Sequence, residues 1–172
     1  MVWLIVLAIA TILAILAIVI RSGLMRVRGQ VRQSWSGLDA ILIERHDLLP
    51  GLLDSCARHM QYEQEALERV SRADTAVIMA AAREDIAALA AAEKTLQDSI
   101  ARLLALADNY PQLCADPAFP GLRGRIGQLD EAIDERREHY NLAANLQNIR
   151  SHAFPHRLVA RFIGLQPAAL FE

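Results

Sequence analysis

The sequence predicts an all-α protein: a single N-terminal transmembrane helix followed by an antiparallel, up-and-down bundle of four helices. Three observations predict it. Val2 to Ile20 is an apolar run broken only by Thr11. Val31, Trp35, Leu38, Leu42, Arg45, Leu49, Leu52, Cys56 and His59 follow in steps of four and three, the repeat of a helix packed at a shallow angle against others. Two further stripes of that spacing lie downstream, at 86–107 and 122–144.

The first element is the anchor, residues 1–22. Its run of nineteen residues spans roughly 28 Å as helix, close to the hydrocarbon thickness of a bilayer. No basic segment precedes the run and no small-x-small site follows it, since Ile18-Val19-Ile20-Arg21 is a poor cleavage exit, so it reads as an uncleaved span. Positive charge lies only on its C-terminal flank, at Arg21, Arg26, Arg28 and Arg32. The positive-inside rule then places Met1 outside and the rest in the cytoplasm. Two isolated cysteines, Cys56 and Cys114, suit that reducing compartment.

The second element is one domain over 23–172, with a short tail after 154. Its first helix covers about 24–45. Asp47 before Leu48-Leu49-Pro50 then reads as the start of a second helix running to about Arg72, although one helix kinked at Pro50 keeps the same seam. The pattern lapses at Ala73-Asp74-Thr75, and alanine-rich 76–83 is helical by propensity with little to bury. Ile86, Leu89, Glu93, Leu96, Ile100, Leu103 and Ala107 form the next seam, which stops at Asn109-Tyr110-Pro111. Pro111, Pro117, Pro120 and Gly121 exclude regular helix from 111–121. The last long helix carries Leu122, Ile126, Leu129, Ile133, Arg136, Tyr140 and Ala144 on one face and ends at Phe154-Pro155. In the tail, Leu158, Phe162 and Ile163 lie near one face with Arg157 and Arg161 on the other, which reads either as an interfacial helix or as a segment packed on the bundle. Four helices return this tail to the membrane; three leave it distant.

Composition bounds the function. A net charge of −2 over 172 residues leaves no basic footprint for nucleic acid. Aromatics at 5% and an apolar fraction of 53% suit a bundle of aliphatic and small side chains. Carboxylate metal sites in bundles use Glu-x-x-His pairs on facing helices, and the sequence has none; His59 with Glu63 and Glu135 with His139 are isolated i,i+4 pairs, so no metal or other cofactor is expected. No glycine elbow surrounds any serine or cysteine, and Gly121, Gly124 and Gly127 open a helix without a preceding strand, so no catalytic residues are assigned. Asp39, Arg45, Asp47, Arg137 and Tyr140 are instead expected to form a structural polar network that fixes helix register.

Trp35-Ser36, Asp39, Arg45, Asp47, Leu48-Leu49-Pro50 and Leu52-Leu53 resemble the LemA family. The likeness continues through Glu63, residues 103–107 before Tyr110-Pro111-Gln112-Leu113, Phe119, Arg137 and Tyr140-Asn141. It closes with Phe154-Pro155, Leu158-Val159-Ala160, Gly164 and Phe171-Glu172, and departs where Ala132 replaces a usual basic residue and where Tyr62 and His59 exchange usual types. The resemblance implies a bacterial helical bundle on an inner-membrane anchor without established enzymatic activity. Magnetosome relatives hint at membrane organisation, and others beside membrane peptidases or stress proteins hint at an accessory role. The expectation is therefore a non-enzymatic scaffold that self-associates at the cytoplasmic face, with lipid, further copies and a membrane protein as candidate partners. The alternative is an adaptor or regulator of a membrane peptidase or envelope-stress system.

Overall fold

The computed structural model describes residues 1–171, and every regular element among them is helical: α1 Val2–His59, α2 Gln64–Ala82, α3 Ile86–Ala107, α4 Pro111–Cys114, α5 Phe119–His152 and α6 His156–Phe162. Two compact units are formed, Met1–Trp35 with His139–Leu170, and Ser36–Glu138 with Phe171. Helices α1 and α5 contribute to both.

In the Ser36–Glu138 unit, four helical segments enclose the core. Leu38, Leu42, Leu49, Leu52 and Cys56 of α1, Leu89, Leu96, Ile100 and Leu103 of α3, and Ile126, Leu129 and Ile133 of α5 are all buried, as their spacing predicts. The break between the first two helices lies elsewhere than expected. Helix α1 runs unbroken through Pro50 to His59. Pro50 is exposed, whereas Leu49 and Leu52 on either side are fully buried. A mid-helix proline costs about 3 kcal/mol, and burying each leucine returns about 1.5–3 kcal/mol, so packing wins. The chain turns instead at Met60–Glu63, where the Met60 N–H donates to the Cys56 carbonyl at 2.7 Å and the Glu63 N–H to the Met60 carbonyl at 3.1 Å. Residues 76–83, expected to bury little, contribute Val77, Ala80 and Ala81 to the buried face of α2, together with Val70, Ala73 and Asp74 before them.

Helix α2 ends at a tight reversal. Glu84 takes the left-handed conformation at φ 52°, its N–H donates to the Ala81 carbonyl at 2.9 Å and the Asp85 N–H to the Ala80 carbonyl at 3.1 Å. Asp85 then caps α3, its side chain accepting from the Ala88 N–H at 3.1 Å. The proline-rich segment contains one turn of helix after all, α4, with Pro111 in its first turn, where a missing N–H costs nothing. Asp116 Oδ1 accepts from the Ala118 N–H at 2.9 Å just before buried Phe119 opens α5. Arg136, expected on the buried stripe, is exposed, and its guanidinium lies over Gly37, where a Cβ would stand 3.2 Å from Nη1.

In the other unit, the large apolar residues between Trp3 and Val19 are exposed, whereas Ile20, Leu24 and Val27 are buried. The Trp3–His59 helix is long and apolar enough to cross a membrane. Helix α6 packs beside the end of the apolar run: Ile20, Leu24 and Ala160 form one cluster, flanked by Val159, Ile163 and Leu165. Gly164, at φ 65°, stops α6, and the Leu165 N–H reaches back to the Ala160 carbonyl at 3.0 Å, the bonding of a Schellman C-cap. From there the chain runs without regular structure along α5.

Candidate functional site

The seam slots at Arg45 on α1 and Glu93 on α3 face each other, and α5 adds Asp130. Arg45 Nη1 and Nη2 donate to Glu93 Oε1 and Oε2, both at 2.6 Å, and Nη1 also donates to Asp130 Oδ1 at 2.8 Å. Arg45 and Glu93 are each 1% exposed. Burial lowers the affinity of the guanidinium for its proton, but the bonds to Glu93 and Asp130 and their charges outweigh it, and the Arg45 pKa ends above its usual value. Arg45 is therefore a fixed cation with no role in proton transfer. Arg45 Nε is buried without a partner among the described residues. A cation gripped bidentately inside a core positions three helices by geometry, since its ion pairs must also repay a large desolvation cost.

The five residues expected to form one network do not converge. Arg45 finds Glu93 and Asp130, neither of them among the five. Asp39 is half-buried and Asp47 exposed, and neither joins the Arg45 cluster. Arg137 pairs with Asp134 at 3.4 Å, one helical turn away, and its guanidinium carbon lies 5.9 Å from the centroid of the Phe171 ring. Tyr140 packs edge-on against Trp35, ring centroids 6.0 Å apart, and its hydroxyl donates to the Ala169 carbonyl at 3.0 Å. Of the two partners, Glu93 was readable as the charged slot of an apolar seam, whereas Asp130 reads as one of the charged residues that fill the other faces of α5; what the sequence lacks is the pairing of positions across helices.

Further polar contacts surround these. His46 Nδ1 lies 2.7 Å from Asp74 Oδ2, which explains a buried acid on α2. Asp116 meets Arg58 at 3.2 Å and His59 at 3.8 Å. The Tyr110 hydroxyl donates to Glu63 Oε1 at 3.3 Å; its desolvation and then the Glu63 charge raise its pKa. Burial pushes the Cys56 thiol up to about 11, which makes it inert near neutrality, while Cys114 is exposed. Among the described residues, no three His, Cys, Asp or Glu side chains are grouped to hold a metal ion. A groove of about 440 Å³ between α2 and α3, lined by Glu63, Glu65, Arg69, Ser99 and Arg102 among others, carries both signs of charge.

One set of contacts escaped the sequence. The stripe of α5 continues past Ala144 to buried Gln147 and Ser151. Gln147 Nε2 donates to the Gln166 carbonyl at 3.1 Å, and Asn148 pairs with the backbone of Ala168. Amide side chains thus hold residues 166–169 against α5.

The basic flank is where the molecule is most uneven. Arg21, Arg26, Arg28 and Arg32 are all exposed. With Arg150, Arg157 and Arg161 they give the Met1–Trp35 and His139–Leu170 unit seven arginines and not one aspartate or glutamate. The other eleven of the 18 basic residues and every acidic residue among those described belong to the second unit. The net charge of −2 hides this division.

The profile of the LemA family matches residues 34–172. Two curated proteins of Paramagnetospirillum magneticum, magnetosome protein MamQ 1 and magnetosome protein MamQ 2, are each 27% identical to the chain over 85 residues, 49% of this chain. That match spans 31% of the length of each of these relatives.

Proposed function

The chain belongs to the LemA family, and from that premise we infer a membrane-anchored, non-enzymatic scaffold that self-associates and organises lipid or partner proteins at the cytoplasmic face of the bacterial inner membrane. The observation that carries the reading is a second, uncovered stripe on α5. Leu142, Leu146 and Ile149 recur in steps of four and three and are 68%, 37% and 66% exposed. They belong to the same unit as the exposed apolar run of α1. An apolar helical stripe left open to water is a contact surface in waiting. Confinement of the anchor to a bilayer raises effective concentration, so a small stripe suffices for lateral assembly. The arginines after Ile20 support an orientation with the N-terminus outside.

The test is oxidative cross-linking of full-length Leu146→Cys, in a Cys114→Ser background, in native membranes. Covalent dimers are expected, and Leu142→Glu with Ile149→Glu should abolish them. A chain that stays monomeric in lipid at every density sinks the scaffold reading.

A further inference from the structure

We propose that α6 and the end of the apolar run of α1 form a second membrane contact, a basic and aromatic collar that lies in the headgroup layer of anionic lipid. The inference rests on the anchoring half of the reading above and goes beyond it by assigning a lipid class and the residues that meet it.

Helix α6 uses one face for packing and leaves another bare. Ala160 is buried against Ile20 and Leu24, with Val159 and Ile163 beside it. Leu158 and Phe162, spaced by four on the helix, are 60% and 95% exposed, and Phe154, in the turn just before it, is 82% exposed. Large aromatic side chains at that exposure are expensive in water. Their neighbours show what covers them: Leu158 and Phe162 line a groove of about 410 Å³ together with Ala17, Ile18 and Arg21. Ile18 is itself 66% exposed and belongs to the run that a bilayer would surround. The bare face of α6 is thus continuous with the lipid-facing surface of the anchor, at the level where apolar side chains give way to the first arginine. Leu24, the other residue of α1 in the cluster, lies about one helical turn beyond Ile20.

Charge selects the lipid. Arg157 and Arg161 are exposed on α6 beside the aromatic face, and this unit holds seven arginines without a single acid. Within this unit no aspartate or glutamate stands beside its guanidinium groups. Arginine matches phosphate geometry with paired N–H donors, and basic side chains opposite apolar ones on a short helix suit an anionic interface.

The experiment uses the full chain, Cys114→Ser with a nitroxide on Leu158→Cys or Phe162→Cys, in nanodiscs that hold one copy each. The discs are phosphatidylcholine with or without phosphatidylglycerol. With phosphatidylglycerol, the label should sit about 5–10 Å below the headgroups. Collisions with an aqueous nickel chelate should then be at least several-fold rarer than for a label on Met79→Cys, an exposed position of α2. Omitting phosphatidylglycerol, or replacing Arg157 and Arg161 by glutamate, should raise nickel accessibility toward the Met79 value. Equal nickel accessibility at Leu158 and Met79 in single-copy discs overturns the proposal. Protection found only in discs with two copies also overturns it, by assigning the face to a second chain. A chain that never enters the discs fails the anchoring reading itself, which is a different result from an embedded chain with a wet α6.

Discussion

Asn148 meets Ala168 twice: its Nδ2 donates to the Ala168 carbonyl at 2.9 Å, and its Oδ1 accepts from the Ala168 N–H at 2.8 Å. One amide side chain so reproduces a strand-like pairing from the side of a helix. Asn148→Ala removes both bonds and should cost about 1–2 kcal/mol locally. Hydrogen exchange of the 166–170 amides should quicken by roughly tenfold, while α3 amides keep their rates. Unchanged exchange at 166–170 would show that the segment is held by something else.

The Arg45–Glu93 pair should behave as a unit. Arg45→Met strands two carboxylates near a dry core and should cost about 3–5 kcal/mol in chemical denaturation. Arg45→Met with Glu93→Leu should recover most of that loss, because two apolar side chains then pack where two ions stood. A double variant as unstable as the sum of the singles would contradict this.

The sequence leads one to expect Asp39→Ala to unfold the domain as a break in a buried network. The structure reverses that expectation: Asp39 is half-buried and outside the Arg45 cluster. Its replacement should change stability by less than about 1 kcal/mol, measured by the same denaturation curve.

Glu84 occupies a conformation that costs a residue with a Cβ about 1 kcal/mol and costs glycine nothing. Its carboxylate is exposed. Glu84→Gly should therefore raise stability by up to about 1 kcal/mol, less what glycine gains in chain entropy when unfolded. A lower melting temperature for this variant would refute the strain argument.

Cys56 gives an alkaline signature. Its thiol ordinarily ionises near 9.0, and burial lifts it to about 11. From pH 9 the unfolded chain releases the proton while the folded chain keeps it, so stability is intact below pH 9 and falls between pH 9 and 11, by on the order of 2 kcal/mol. Cys56→Ala should remove that part of the slope. In the native protein at neutral pH, a maleimide should modify Cys114 alone.

The sequence made the α1, α3 and most α5 seams legible because leucine and isoleucine alternate there with charge, a contrast that periodicity detects. Helix α2 was obscure for the opposite reason: Ala73, Ala80 and Ala81 bury a face that looks like its exposed neighbours Ala76 and Ala82. Pro50 misled because a proline's cost is local, whereas the leucines that override it act through partners far along the chain. The turn at Met60–Glu63 contains neither glycine nor proline. Arg45 was recognisable as a buried cation, but its carboxylates depend on how three helices are set in register. Gln147 and Asn148 acquire their role only where a returning segment supplies backbone for them to bind.

The uneven distribution of arginine has a consequence for crowding. Two copies set side by side along Leu142, Leu146 and Ile149 bring together units that each carry seven arginines and no acid. Bare, such neighbours repel, and that repulsion reaches about 8 Å at physiological ionic strength. Anionic headgroups lying between them would turn the same charge into mortar, so the packing density of this protein in a membrane should follow the lipid's negative charge and loosen in a neutral bilayer.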